Sequence, residues 1–319
     1  MPVEARGAGP ETLMDAATAR PGAVRLAPTW GQRLRGLRRG AWRLTRNEPP
    51  VMIGIVIMSI MVFLAIFGPT LARTEYTRVD PVNRLLAPSA QHWFGTDTSG
   101  RDVFDRTIAG ARLSLIVAGS VTLITTVIGT SLALVIGYVR VLDNILMRAV
   151  DGLLSFPTIL LALALIALLG SSVQNVIIAL SITGTAGKIR LIRGAVLLLR
   201  ETAYVDAARA MGARMPRVLF IHIAPNTLGL VMVQATFTLA SAILAEASLS
   251  FLGAGTPEFI PSWGNIVGTG QGYVQVAFWI AFFPGLFLTV TVLAVVLIGD
   301  ALRDYLDPKL RGRIEREQA

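Results

Sequence analysis

Uncharged apolar runs and short polar breaks alternate along this 319-residue chain. A helix needs roughly 20 apolar residues to cross about 30 Å of hydrocarbon. Five windows meet or approach that length: Val51–Ala72, Leu113–Val139, Gly152–Val173, Thr227–Ala245 and Val276–Gly299. A sixth, Val173–Gly187, is shorter and must borrow length from the residues that follow it. The pattern predicts an all-α integral membrane protein with six transmembrane helices. In the second window Gly129, Ala133 and Gly137 recur at four-residue spacing, a small-residue face that admits a close neighbour. Its expected use is packing within the chain. The third window begins near Asp151 and contains Ser155-Phe156-Pro157, where proline removes a backbone hydrogen bond and predicts a kink. Asp151, at the edge of that span, is expected to pair with a basic residue.

The polar breaks differ in kind. Residues 1–47 form a basic arm, rich in Ala, Gly, Pro and Arg; its part Gly31–Arg46 carries six arginines and reads as a solvated flank or an amphipathic helix on anionic lipid. Arg73–Arg112 is a polar segment with turn formers at Pro81, Pro88, Gly95 and Gly100. Residues 188–225 hold seven basic residues yet keep apolar spacing, with Tyr204, Ala207, Ala208, Met211 and Met215 on one helical face. Gly212 offers close approach there, and Pro216 is expected to end the short helix. Ser248–Gln275 contains no Lys or Arg and is expected to form ordered turns, with Trp263, Tyr273 and Trp279 suited to an interfacial aromatic belt. Asp300, Arg303, Asp304, Asp307 and Lys309 close the last helix, and residues 313–319 are a tail. The membrane-spanning body is thus expected over residues 48–312.

Composition agrees with a membrane protein: 53% of residues are hydrophobic and 15% charged, against about 25% charged in soluble domains. Mean hydropathy is +0.62. With no cysteine and only His92 and His222, disulfides, thiolate nucleophiles and His-rich metal centres are excluded. A net charge of +9 would suggest nucleic acid in a soluble protein, but its distribution argues for topology instead. Lys and Arg number nine in residues 1–50, two in 139–149, seven in 188–217 and five in 301–319; the remaining six lie in 73–112 beside five acids. The positive-inside rule then places both termini in the cytoplasm. Val51–Ala72 exceeds a signal-peptide core and is expected to be a retained first helix.

Residues 206–225 read Asp-Ala-Ala-Arg-Ala-Met-Gly, nine residues, then His-Ile-Ala-Pro. This resembles the EAA loop of binding-protein-dependent ABC importer permeases, with Asp206, Ala207, Ala208, Gly212 and Pro225 in the matching positions. Asp206 replaces Glu, His222 takes an Ile position and Ala224 a Leu position. Phe94-Gly95-Thr96-Asp97, Gly100-Arg101-Asp102, Gly110 to Leu115, Ser155-Phe156-Pro157, Leu249 to Gly253, Ser262-Trp263-Gly264, Gly299 to Asp304 and Asp307-Pro308 resemble the "C"-type permeases of the dipeptide, oligopeptide and nickel family. Thr185 departs from a frequent Trp, and Val296 from a frequent Asn.

The resemblance implies a permease subunit in a bacterial cytoplasmic membrane, forming half of a pathway with a second homologous permease. It implies two separate ATPase subunits that use ATP and Mg, and an extracytoplasmic binding protein that delivers di- or oligopeptides; nickel chelates, glutathione or glycosides are alternatives. The chain lacks a Gly-x4-Gly-Lys-Ser/Thr loop, so it is not expected to be an enzyme or to bind a cofactor. A cytoplasmic coupling helix made of Tyr204, Asp206, Ala207, Ala208, Met211 and Gly212, followed by Pro225, would seat in the ATPase. Gly95, Asp97, Gly100, Arg101, Asp102, Phe251, Gly253 and Trp263 are candidates for contact with the binding protein or partner permease. Thr122, Thr126 and Gln234 are candidates for lining the pathway. Two rivals fit less well. An ion-coupled carrier would place ionisable residues at mid-membrane, and none of the long runs has one near its centre. A membrane enzyme would face carboxylates or histidines together, whereas Asp151, Glu246 and Asp300 fall at span ends on different sides.

Overall fold

The computed structural model describes residues 49–71, 77–257 and 259–306, and they are helical almost throughout. The expectations for the basic arm, the tail, Asp307-Pro308 and Lys309 lie outside those residues. The described elements are α1 (Pro49–Leu71), α2 (Val103–Tyr138), α3 (Arg140–Leu154), α4 (Thr158–Leu169), α5 (Val173–Arg200), α6 (Ala203–Ala210), α7 (Ala224–Phe251), α8 (Trp263–Gly270) and α9 (Trp279–Leu306). Between α6 and α7 run a single turn, Met215–Arg217, and a π-helical segment, Val218–Ile223. Five helical stretches are long and apolar enough to cross a membrane, and α3 with α4 would make a sixth.

That sixth candidate is broken more sharply than a kink. α3 and α4 meet at 91°. Pro157 cannot donate to the helix, the residue before it is pushed from the α region, and α4 restarts immediately after it. α4 has 12 residues, about 18 Å of helix, and cannot cross a bilayer alone. α3 turns its Val150 face into the bundle and leaves Val141 and Ile145 exposed. Asp151 pairs with Arg190, and Asp143 with Arg193 at 2.7 Å through Nη2, so α3 is tied by charge to α5.

Two helices begin or end far from their apolar windows. α2 starts ten residues before Leu113, because Asp102 caps it by accepting from the Phe104 and Asp105 amides at 2.8 and 3.1 Å. The charges in its first turns are buried, not looped. The Asp97 carboxylate accepts from the Ser99 and Arg101 amides, from Arg101 Nε at 2.7 Å and from Arg106 Nη1 at 3.2 Å. Gly100, at φ +77°, makes that turn possible, and a Cβ there would meet Asp80 O at 1.7 Å. At the other boundary, α5 runs on from the short sixth window to Arg200, so residues 188–200 are the second half of a long helix. The borrowed length includes a charge. Lys188 is buried between α2 and α5, donating to Thr126 Oγ1 at 2.7 Å and Thr125 Oγ1 at 3.4 Å. Gly129 accommodates its stem, which lies 3.3–3.4 Å from where a Cβ would be. The small-residue face of α2 therefore packs within the chain, and the apolar runs do not exhaust the ionisable groups inside the bundle.

One apolar cluster joins Val117, Val121, Ile166, Val176, Ile243, Leu249 and Trp263; a second, nearer Tyr138 and α6, joins Ile136, Val150, Ile192, Val205, Val218 and Ile223. Trp263 and Trp279 are buried, contrary to the belt expectation: their Nε1 groups donate to Thr107 O and Thr96 O at 3.0 and 3.2 Å. Tyr273 keeps an exposed ring.

Asp97→Asn strips the carboxylate from a cluster of buried donors and should cost on the order of 3 kcal/mol, read as a lower melting temperature in detergent; an unchanged melting curve would remove Asp97 as the anchor of that loop. Lys188→Met replaces a buried ammonium with an apolar chain of similar length and should leave the melting temperature equal or higher. Gly129→Leu, which displaces the lysine stem, should lower it. The opposite ranking would show that Lys188 stabilises the α2–α5 seam.

Candidate functional site

The segment from Thr202 to Pro225 is built as a projecting helix with a stiff return. α6 begins after Thr202 and ends in a Schellman pair: the Gly212 amide donates to Arg209 O at 2.9 Å and the Ala213 amide to Ala208 O at 3.0 Å. Gly212 holds φ +83°, the left-handed conformation that this cap requires. It is therefore Gly212, not Pro216, that ends the helix; Pro216 sits inside the next turn, where its missing N–H costs nothing.

The two faces of α6 divide its predicted residues. Val205 and Ala208 are buried against the chain itself, so Ala208 supports the helix from beneath and has almost no surface to offer. Tyr204, Ala207 and Met211 face out, Met211 at 82% exposure. Asp206 is exposed and is bound by Arg209 at 3.2 Å, while the Arg209 guanidinium lies 5.3 Å over the Tyr138 ring. Tyr204 has a second attachment that its helical periodicity did not signal. Its hydroxyl donates to His222 O at 3.4 Å and accepts from Asn226 Nδ2 at 3.3 Å, and Asn226 Nδ2 also donates to His222 O at 2.6 Å. Pro225, in the first turn of α7, leaves a helical carbonyl without its usual donor. Beside Met211 lies an open hollow of about 600 Å3, lined by Gly212, Ala213, Arg214, Pro216, Arg217 and His222 among others.

At the opposite end of the bundle the candidate contact residues separate in the same way. Asp97, Arg101 and Trp263 are buried, Asp102 caps α2 and accepts from or pairs with His92 Nδ1 at 2.8 Å, and Gly95 and Gly100 permit tight turns. The contacts described for them lie inside the chain. Phe251 and Gly253 remain exposed. Gly253 repeats the Schellman geometry at the end of α7, with its amide on Ser250 O and the Ala254 amide on Leu249 O. Glu246, read from the sequence as a span-end acid, is fully buried and accepts from Ser250 Oγ at 2.8 Å and Ser114 Oγ at 3.1 Å. Ser114 in turn accepts from the Trp263 amide at 3.3 Å, so α2, α7 and the start of α8 meet at one carboxyl group. Serine spacing alone carried no signal of that node.

The three pathway candidates make separate contacts. Thr122 donates back to Ala118 O, Thr126 accepts from Lys188, and Gln234 lies half-buried on α7 with no hydrogen bond to either. Thr126 thus helps to house a buried cation.

Residues 125–312 match the family described as binding-protein-dependent transport system inner membrane component. Residues 36–88 match the N-terminal transmembrane domain of oligopeptide transport permease C. The dipeptide transport system permease protein DppC of Alkalihalophilus pseudofirmus is 42% identical over 275 residues, covering 86% of this chain and 90% of the relative. The probable peptide ABC transporter permease protein y4tQ of Sinorhizobium fredii is 46% identical, covering 85% and 93%. The oligopeptide transport system permease protein OppC of Bacillus subtilis is 38% identical, covering 83% and 88%. With an all-helical body, membrane-length apolar helices and this breadth of similarity, the chain belongs to the binding-protein-dependent transport system inner membrane components, as a multi-pass permease subunit of an ABC transporter.

Proposed function

We propose that this permease forms half of a translocation pathway for di- or oligopeptides, together with a second homologous permease. In this reading α1, α2, the bent pair α3–α4, α5, α7 and α9 make six spans, with both termini and α6 in the cytoplasm. Two separate ATPase subunits bind ATP and Mg and grip α6; an extracytoplasmic binding protein delivers cargo at the end carrying Phe251 and Gly253. The peptide names of the relatives support the cargo class, and nickel chelates, glutathione and glycosides are the alternatives.

The observation that carries this reading is the construction of residues 202–226. A short helix is fixed from below by Val205 and Ala208, closed by Gly212 and strapped to α7 through Tyr204 and Asn226. It still presents Met211 and the outer face of Tyr204 with no described residue covering them. A rigid, uncovered, partly apolar helix is a suitable handle for a partner that closes on ATP. Closure of two such partners would shift the bundle between inward- and outward-facing states, through differential affinity for the two.

Affinity purification of the tagged chain in mild detergent, with mass spectrometry of what accompanies it, tests the assignment. A second permease and Walker-motif ATPases are expected. Gly212→Asp should remove the ATPases and abolish uptake while the protein stays in the membrane. Because any side chain at φ +83° strains the cap, Met211→Glu is the companion variant. It leaves α6 intact and should lower ATPase recovery at least tenfold. A homo-oligomer without ATPase, active under an ion gradient, would instead identify an ion-coupled carrier. Tyr204→Phe separates docking from transmission: ATPase recovery should persist while uptake falls several-fold. Loss of recovery in that variant would reassign the hydroxyl to the docking surface.

A further inference from the structure

The hollow beside Met211 has a chemical character that docking alone does not require. Arg214 and Arg217, both exposed, line it together with His222. None of its lining residues is acidic. Among the described residues, neither arginine forms an ion pair, whereas the nearby Arg209 is already engaged by Asp206. The same surface carries an apolar knob: Met211 projects at the end of α6, and Met215 is partly exposed beside it.

We propose that this surface is specific for an acidic socket on the ATPase: an apolar depression that receives Met211, edged by carboxylates that pair with Arg214 and Arg217. The inference rests on the docking reading above and adds the chemistry of the partner. Guanidinium groups present a planar fork that fits a carboxylate bidentately, so two arginines set orientation as well as charge. Met211 supplies an adaptable apolar contact that tolerates small movements of the partner. A phospholipid surface would also satisfy the arginines. A solid partner is favoured because Met211 and both arginines line one concavity of about 600 Å3, a relief that a plane of headgroups does not match. Complementary charge of this type acts mainly on encounter rate and register, and it is sensitive to salt.

The test uses the full complex, with the tagged permease held on beads and retained ATPase quantified between about 0.05 and 0.5 M salt. Wild-type retention should fall as salt rises. Arg214→Glu with Arg217→Glu should reduce retention at low salt by at least tenfold, and Arg214→Lys with Arg217→Lys by a smaller factor, because charge remains and the fork is lost. Thermal melting of each variant reports on folding, and these exposed positions should not move it. Full retention by the double Glu variant, while Met211→Glu still loses the ATPase, would overturn the acidic socket and leave docking intact. Failure of the wild type to retain any ATPase would remove both. Unchanged retention with uptake lost only in vesicles rich in anionic lipid would assign the arginines to phospholipid and overturn the proposal.

Discussion

A bilayer core offers no water to a backbone amide or a charge, so each departure from a plain apolar helix must be satisfied from within the chain. The same rule holds for polar groups buried in protein outside the bilayer, and the end carrying Asp97 shows how it is met. One buried carboxylate collects two amides and two guanidiniums, and the loop it organises delivers Asp102 to cap α2 and Phe94 to stack on Phe283 at 3.9 Å. Asp97 therefore sets where α2 begins. From there α2 presents Ser114 to Glu246, and the Trp263 amide completes the junction. The order of these contacts explains why a segment so rich in polar residues is packed like a core.

The same constraint decides what the sequence could reveal. Apolar length located five membrane-length helices among the described residues, and small residues at 129, 133 and 137 located a close helix contact; both depend on local pattern. Pro157 marked the break between α3 and α4 but not its angle of 91°, because proline removes one bond and the two packing partners set the direction. Charges were misleading in two places. Asp105 and Arg106 looked like loop although they lie in a long helix, and Lys188, read as part of a basic segment, is buried in another. A hydropathy window scores Lys188 by its ammonium. It cannot score the two threonines 62 and 63 residues away that receive it.

At the projecting segment the motif was legible and its faces were not. Spacing put Ala207, Ala208 and Met211 on a common stripe, yet the chain rolls α6 so that Val205 and Ala208 lie beneath while Ala207 and Met211 face out. That roll follows from the return path. Val218, Leu219 and Ile223 supply the apolar floor, and a π-helical register orients them. Such a register is rare in helices and, where it occurs, often lies at a functional site. Nothing in the periodicity of a single helix specifies the floor on which it rests.

On the docking reading, the attachments of α6 also define how a pull on it would travel. The helix has little freedom to slide, since it is buried on one side, capped at Gly212 and strapped at Tyr204. Force would pass through His222 and Asn226 into the first turn of α7. α7 has 28 residues, about 42 Å of helix, and carries Glu246 near its far end. On that reading a rod with one end at the ATPase and the other in the hydrogen-bonded node of α2, α7 and α8 would carry a local displacement to that node. Coupling between distant sites requires such an element, biased from both ends. The π-helical turns lie between handle and rod, where their looser register could absorb a change of angle without breaking the connection.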